Sequence, residues 1–439
     1  MSKPTSSPAV ELRPLSPEQS AWRWKILIAT YCAYAGYYLT RKAFTICKNT
    51  IAVEFNWDLQ DVAHIWTAYL VAYLIGQFIN SFIGREKGPR FLLLGGLGIS
   101  MACNAIFGFT NSYSTFLIFM FFNGLVQASG WPGAVGGVSE WLRPHERGTI
   151  MGIWSTSYMV GNILVKSLGG LLLDHYGWRW SFFGLTLATV GVWLVVYWWQ
   201  RNRPEDVGLP PIVDPIAPED RTVEASQATS VSFSEYFRMA FNPIVLSMGL
   251  AYFCIKFLRY ALDSWLPAFL DIQGMDAAEA SYYSMIFDYT GVGGSIVAGW
   301  VLDRFFRGNW AMLCFVMGLG MVFGYYSVIM WGTSPVNTAI LFGLVGFMIY
   351  GPDTLLCGAA AVQVAGVRNG VAVAGIVNGF GSIGPVVQEE IIGLLVRDDV
   401  HAGIRDSNRL ALAMSVLFAL LMLILSFKVS KRRTDCSPE

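Results

Sequence analysis

Long apolar segments recur along the whole chain and are separated by short polar connections. Each segment has about 20 residues, which is enough for a helix to cross roughly 30 Å of hydrocarbon. The pattern therefore predicts an all-α membrane protein with twelve transmembrane helices. The predicted spans are residues 24–46, 60–83, 91–111, 114–140, 148–172, 178–200, 244–271, 278–302, 310–331, 336–362, 370–396 and 407–428.

One long polar stretch interrupts this pattern. Residues 201–243 are rich in proline, acidic residues, serine and threonine, a composition typical of a solvated linker. The linker divides the chain into two predicted six-helix bundles, at residues 22–200 and 244–428, with short tails at residues 1–21 and 429–439.

The two predicted bundles look like copies of each other. A turn of glycine and basic residues ends the second span at residues 84–90, and a similar turn ends the eighth span at residues 299–309. Internal repeats of this kind are typical of secondary transporters, in which the substrate site lies near the membrane midplane between the repeats.

The distribution of charged residues predicts how the chain is oriented in the membrane. Of the 439 residues, 54% are hydrophobic and 14% are charged, and the formal net charge is zero, which gives no indication of nucleic acid as a partner. Basic residues cluster before the first span, in the connections after the even-numbered spans and in the C-terminal tail. By the positive-inside rule, this distribution predicts that the N and C termini, and the linker between the bundles, are cytoplasmic.

Two arginines lie inside apolar segments, Arg41 in the first span and Arg259 in the seventh. A guanidinium group keeps its charge, and near the bilayer centre it costs at least about 2.5–3.5 kcal/mol. Two such residues at matching places predict a site for a doubly negative ligand, and phosphate fits because it accepts bidentate hydrogen bonds. The alternative is one arginine at the membrane interface and one in a buried salt bridge.

Two tyrosines accompany the first arginine. Tyr34, Tyr38 and Arg41 follow at i, i+4 and i+7, which places them on one helix face. A buried phenol needs a hydrogen-bond partner and prefers a polar pore to lipid. The pattern favours a pore-lining face over ordinary helix packing.

Several motifs of the chain resemble those of a known family. The motifs YYLTRKAF at residues 37–44, NGLVQASGWPG at residues 123–133 and FLRYALDSWLP at residues 257–267 resemble those of the organophosphate:phosphate antiporters of the major facilitator superfamily. That family includes the bacterial hexose-phosphate and glycerol-phosphate exchangers and the endoplasmic-reticulum sugar-phosphate exchangers. The resemblance covers residues 22–427.

The resemblance implies a secondary antiporter in the bacterial inner membrane. It would exchange an organic phosphate for inorganic phosphate by rocking the two bundles around a central site. The alternative function is a transporter-like sensor of external sugar phosphate that signals to a partner membrane kinase. No nucleophile–base pair or Walker motif is present, so catalysis is not expected. No cofactor or metal site is predicted, because the four histidines are far apart in the sequence.

Carried over position by position, the resemblance assigns phosphate binding to Arg41 and Arg259. It also pairs Lys42 with Asp288 in the eighth span, as a structural ion pair or as part of a gate. The pore aromatic residues of the family correspond to Tyr34, Tyr38, Tyr73 and Trp131.

Three positions depart from the family pattern. Tyr158 stands where a histidine is common in the fifth span, Gln77 replaces a lysine of the second span, and Lys256 replaces a tyrosine. These departures alter the polar lining around the organic end of the substrate. Hexose phosphate, glycerol phosphate, phosphoglycerate and phosphoenolpyruvate all fit the anionic end.

Three further charged residues lie close to the predicted phosphate site. Asp263 follows Arg259 by four residues and either holds the guanidinium group or faces the outer vestibule. Lys256 is either a third phosphate ligand or a lysine that reaches the inner interface. Asp353 would repel phosphate, so it requires a substrate hydroxyl or amine, or a lysine partner.

Charged residues near the predicted outer ends of spans have simpler explanations. Lys166 lies late in the fifth span and is predicted to reach the outer interface with its long side chain. Glu389 and Glu390 lie late in the eleventh span and are predicted to lie at the outer rim.

Overall fold

The structure is a computed structural model, and it describes residues 15–143, 147–154, 156–212, 238–306, 309–357 and 359–435. The ends of the two predicted tails, and residues 213–237 of the predicted linker, lie outside the described residues. In the described ranges the chain forms fifteen α-helices, one short 3-10 helix and no strand.

The helices follow one another with short connections except at the linker. They are α1 Pro17–Phe55, α2 Leu59–Lys87, α3 Pro89–Phe109, α4 Tyr113–Gln127, α5 Gly130–Ser139, α6 Arg147–Trp154, α7 Ser157–Tyr176, α8 Trp178–Trp199, α9 Pro243–Ile272, α10 Ala277–Arg304, α11 Trp310–Trp331, α12 Pro335–Cys357, α13 Ala359–Gly381, α14 Ile383–Asp398 and α15 Val400–Asp435.

Three of the predicted spans each consist of two consecutive helices: α4 with α5, α6 with α7, and α13 with α14. Counting each pair as one crossing gives twelve, so the predicted fold class is confirmed. Among the described residues, eight helical segments are long and apolar enough to cross a membrane on composition alone. Helix α1 is not one of them, because its buried arginine, lysines and tyrosines lower its hydropathy.

Local sequence signals set the helix ends. At the start of α1, the Ser16 side chain accepts a hydrogen bond from the Gln19 backbone, and the Gln19 side chain accepts one from the Ser16 backbone. This reciprocal capping box encloses Pro17, which suits the first helical turn because no N–H donor is needed there. The helix ends at Asn56, whose φ of 53° is the left-handed conformation that asparagine tolerates.

The two halves of the chain pack alike. Helix α2 packs on α4 as α10 packs on α12, and α3 packs on α8 as α11 packs on α15. Each pair occupies the equivalent place in its half, which agrees with the internal repeat predicted from the turns.

The two bundles meet mainly at one end of the molecule, through α2 against α14 and α7 against α10. A Cβ atom added to Gly393 of α14 would lie 2.5 Å from Ala63 of α2, so only glycine permits this approach. Similarly, a Cβ atom on Gly170 of α7 would lie 3.2 Å from Ser281 of α10. We call the end where α2 contacts α14 and α7 contacts α10 the far end. The opposite end, where α8 ends and α9 begins, is the linker end.

Candidate substrate site and interbundle ion pairs

Arg41 lies in α1 at the interface between the bundles and is only 6% exposed. Its Nε donates to Gln127 Oε1 of α4 at 3.3 Å. Its guanidinium carbon lies 4.7 Å from the Tyr38 ring centroid and 4.9 Å from that of Tyr73. Its Nη2 is buried and has no hydrogen-bond partner among the described residues, so this cation has a donor available for a ligand.

Gln127 is held in place by a network that the sequence did not reveal. Its Nε2 donates to Thr40 Oγ1 at 2.9 Å and to Ser100 Oγ at 2.7 Å. Because the amide nitrogen is fixed by these contacts, the amide oxygen faces Arg41. Gln127, Thr40 and Ser100 are all neutral, so this network does not compensate the charge of Arg41.

Arg259 lies in α9 of the second bundle and has an acidic partner. Its Nη1 donates to Asp353 Oδ2 of α12 at 2.6 Å. The protein partner of Asp353 is therefore an arginine and not a lysine, which was one of the alternatives considered from the sequence. The guanidinium carbon lies 5.0 Å from the ring centroid of Tyr350 and 5.3 Å from that of Tyr158. Its Nε is buried, and no residue in the described part of the chain accepts a hydrogen bond from it.

The two arginines share an aromatic wall. The rings of Tyr38, which contacts Arg41, and Tyr158, which contacts Arg259, have centroids 6.3 Å apart. Beside this wall lies a cavity with an unfilled volume of about 300 Å³, part of it continuous with solvent. Its lining includes Arg41 from the first bundle and Tyr260 from the second, so it lies between the bundles.

Lys42 pairs with Asp263, and the predicted pairing with Asp288 is wrong. Lys42 Nζ lies 2.6 Å from Asp263 Oδ2, across the contact between α1 and α9. Asp263 also accepts a hydrogen bond from Asn162 Nδ2 at 3.1 Å. Asp263 is buried, and in the described contacts it neither holds Arg259 nor faces an outer vestibule. Asp263 lies on α9, which packs against α1, and this packing brings its carboxylate to Lys42.

Asp288 of α10 pairs instead with Lys166 of α7. Lys166 Nζ lies 2.5 Å from Asp288 Oδ2, and Asn162 Nδ2 donates to Asp288 Oδ1 at 2.6 Å. Tyr350 OH donates to the same oxygen at 3.3 Å. Lys166 is only 3% exposed, so the prediction that it reaches the outer interface is wrong. A buried carboxylate on the packed neighbouring helix provides the charge partner that a buried lysine requires.

A third buried pair joins Lys48 of α1 to Glu389 of α14. Glu389 Oε2 accepts from Trp265 Nε1 at 3.0 Å and from Gln388 Nε2 at 2.9 Å. Both charged side chains are completely buried, so the predicted rim position of Glu389 is wrong. Glu390 is partly exposed and lies 2.9 Å from His64 of α2.

Lys42–Asp263, Lys166–Asp288 and Lys48–Glu389 all connect the first bundle to the second. We call these three contacts the interbundle ion pairs. They accompany the close contacts of the far end, so moving the bundles apart there would separate all three.

Lys256 lies in α9 and is buried, so it does not reach the inner interface. Its Nζ donates to Asn378 Oδ1 at 2.8 Å and to Ser382 Oγ at 3.2 Å. It also lies 5.2 Å from the Tyr252 ring centroid. Its hydrogen-bond partners are therefore neutral.

The remaining predicted pore residues are Tyr34, Trp131 and Gln77. The Tyr34 ring centroid lies 5.9 Å from that of Tyr38 and 5.5 Å from that of Trp131. Trp131 is 45% exposed. Gln77 is partly buried on α2, one turn beyond Tyr73.

Several contacting residues were missed from the sequence, including Gln127, Asn162, Tyr260 and Tyr350. They are uncharged, and in an apolar span such residues give only a weak signal of function. Lys48 carried a usable signal, because it follows Arg41 by seven residues and therefore lies on the same helix face.

Two repeated helical bundles that each contribute an arginine, buried in one case and largely buried in the other, to a shared interface are typical of a two-bundle secondary transporter. The Major Facilitator Superfamily model matches residues 27–388, and the chain belongs to this family of multi-pass membrane transporters.

Similar proteins agree with this assignment. A Chlamydia pneumoniae protein named "Probable hexose phosphate transport protein" is 28% identical over 361 residues, covering 78% of each chain. The "Membrane sensor protein UhpC" of Salmonella typhimurium is also 28% identical and covers 80% of this chain and 81% of its own. An inward-facing, unoccupied crystal structure of a bacterial homologue of the human lysosomal transporter Spinster has a TM-score of 0.79 at 17% identity. It covers 95% of this chain and 99% of its own, and it supports the fold.

Proposed function

We propose that this protein exchanges an organic phosphate for inorganic phosphate across the bacterial inner membrane by alternating access. The observation that carries the proposal is the pair Arg41 and Arg259, one from each bundle. Each has a buried N–H group with no hydrogen-bond partner in the part of the chain that the structure describes. A buried unsatisfied donor costs about 1–3 kcal/mol. A phosphate dianion between the bundles would accept from both residues.

The charge of the two arginines explains why exchange is the natural mode of transport. Without a ligand, two like charges from opposite bundles resist closer approach in a medium of low dielectric constant. A bound phosphate dianion reverses that repulsion and draws the bundles together, so reorientation requires a ligand in each direction. A gradient of inorganic phosphate then drives uptake of the organic phosphate.

The interbundle ion pairs oppose the separation of the bundles at the far end. They keep the far end closed, and each would have to separate before a ligand enters from that side. Removing one partner of a buried ion pair costs several kcal/mol because the other charge stays uncompensated. Water entering the opened far end would hydrate these charges, and the binding energy of the ligand offsets the remaining cost.

The relatives support an organic phosphate as substrate. The Chlamydia pneumoniae relative is named for hexose phosphate transport, and that name matches the anionic ligand expected from Arg41 and Arg259. These two residues do not specify the organic group, since in this proposal both would bind the phosphate.

A second candidate function is favoured by the Salmonella relative, which is named as a membrane sensor. A sensor of external sugar phosphate would keep the arginine site and signal to a partner membrane kinase. It would bind ligand with the same residues and transport little of it.

Reconstituted protein tests the two functions together. Liposomes loaded with inorganic phosphate are supplied with labelled phosphate outside, and uptake is measured with and without the internal phosphate. Exchange that requires internal phosphate and is inhibited by one organic phosphate supports the antiporter. Saturable binding of a sugar phosphate without exchange supports the sensor. If neither is observed, the assignment of the arginines to phosphate is wrong.

A further inference from the structure

The buried charges at the bundle interface do not balance. In the part of the chain that the structure describes, six cationic side chains face four carboxylates there. Each carboxylate pairs with one cation, through the three interbundle ion pairs and the Arg259–Asp353 pair. The two remaining cations are Arg41 and Lys256, which have only neutral hydrogen-bond partners among the described residues.

Lys256 is the more unusual of the two. It lies where the resembling family carries a tyrosine, so it adds a positive charge that this family pattern does not have. Burying an ammonium group beside an amide and a hydroxyl recovers only part of its lost hydration. A buried cation of this kind favours an anionic ligand.

The position of Lys256 separates it from the phosphate site. It precedes Arg259 by three residues on α9, which is about 4.5 Å along the helix towards the linker end. Arg259 is directed to α12 by Asp353, whereas Lys256 is directed to Asn378 and Ser382, where α13 meets α14. The two side chains therefore extend in different directions, and each could bind a different anionic group of the same ligand.

We propose that Lys256, Asn378 and Ser382 form a second anion subsite, which binds the carboxylate of a small phosphorylated hydroxy acid such as phosphoglycerate. This inference rests on the proposed function, since the phosphate end of the same ligand binds Arg41 and Arg259. Lysine has three N–H donors, and two of them contact Asn378 and Ser382. The third N–H and the amide NH2 of Asn378 are donors for a carboxylate.

Two ligands that differ only in the relevant group provide the test. Glycerol 3-phosphate carries a hydroxymethyl group where 3-phosphoglycerate carries a carboxylate. Each is measured as an inhibitor of phosphate exchange in proteoliposomes, and the readout is the ratio of their inhibition constants. This ratio does not depend on how much exchange activity a variant retains.

We expect the wild-type protein to prefer 3-phosphoglycerate by at least about ten-fold, since a charge-assisted hydrogen bond contributes about 1.5–3 kcal/mol. Lys256→Gln should abolish that preference and Lys256→Arg should retain most of it. Asn378→Asp should also abolish it, because the new carboxylate would pair with Lys256 while the lysine stays in place. Lys428→Gln removes an exposed lysine at the end of α15 and should leave the ratio unchanged.

Three results would overturn the subsite. One is a wild-type preference for glycerol 3-phosphate, which would leave the antiporter intact. Another is that Lys256→Gln weakens phosphate, glycerol 3-phosphate and 3-phosphoglycerate equally, which would make Lys256 a phosphate ligand. The third is an absence of phosphate exchange and binding in the wild type, which would overturn the proposed function and the subsite with it.

Discussion

The two arginines occupy matching places in the two repeats, yet their surroundings differ. Arg41 of the first bundle is held by the neutral amide of Gln127, whereas Arg259 of the second bundle is paired with Asp353 at 2.6 Å. Tyrosine rings contact both guanidinium groups. The aromatic surroundings are shared, and the difference lies in charge compensation.

This difference suggests separate tasks for the two residues. Arg41 keeps an uncompensated charge and can attract an anion whenever the site is accessible. Arg259 already has a carboxylate partner, so an incoming phosphate must compete with Asp353 for it. The first bundle then supplies the attraction, and the second bundle supplies an exchangeable contact that ligand binding rearranges.

The largest expected effect is on stability. Arg259→Gln should strongly lower the melting temperature of the purified protein, because an uncompensated buried Asp353 costs about 3–5 kcal/mol. Arg41→Gln leaves no carboxylate behind and should lower it much less. Differential scanning fluorimetry in detergent measures both.

The double variant Arg259→Gln/Asp353→Asn is the matched control for this comparison. It removes both charges and should recover most of the stability lost in Arg259→Gln. Equal melting temperatures for the two single arginine variants would show that the ion pair at Arg259 does not distinguish the two sites.

A smaller effect is expected from changing the shape of each cation while keeping its charge. Arg41→Lys and Arg259→Lys should each reduce phosphate exchange by roughly 10- to 100-fold, because a lysine lacks the planar fork that binds phosphate at two points. Initial rates of exchange in proteoliposomes measure the loss. If Arg259→Lys exchanged like the wild type, Arg259 would serve only as the counterion of Asp353.

The fold, and the presence of one arginine inside a span of each bundle, could be predicted because their signals are local. A span is visible as a run of apolar residues, and Arg41 and Arg259 are conspicuous inside such runs. The pairing of charges is different, because it depends on which helices of the two bundles face each other. The resemblance paired Lys42 with Asp288, and only the packing of α1 against α9 shows that its partner is Asp263.

Lys166 and Glu389 are two further residues whose charge partners could not be predicted from the sequence. Their places near the ends of spans favoured the membrane interface, and no feature of the sequence indicated a buried partner. The structure supplies Asp288 to Lys166 and Lys48 to Glu389. A partner in the other half of the chain cannot be recognised until the two bundles are docked.

The smallest expected effect tests whether Asp353 competes with phosphate. Asp353→Asn frees Arg259 from its carboxylate, so phosphate should bind more tightly, and the apparent KM should fall by about three- to ten-fold. The maximal rate should fall as well, because tighter binding slows release from the site. Kinetics of phosphate exchange at a temperature where the variant stays folded separate these two constants.

Asp174→Asn makes the same chemical change at an exposed position near the end of α7 and should alter neither constant. An unchanged or raised KM in Asp353→Asn would mean that phosphate binds without displacing Asp353. Arg259 would then use its remaining N–H groups, including the unpartnered Nε, while it keeps the ion pair throughout the cycle. In that case the two arginines would differ in stability alone, and the exchangeable contact would have to lie elsewhere at the interface.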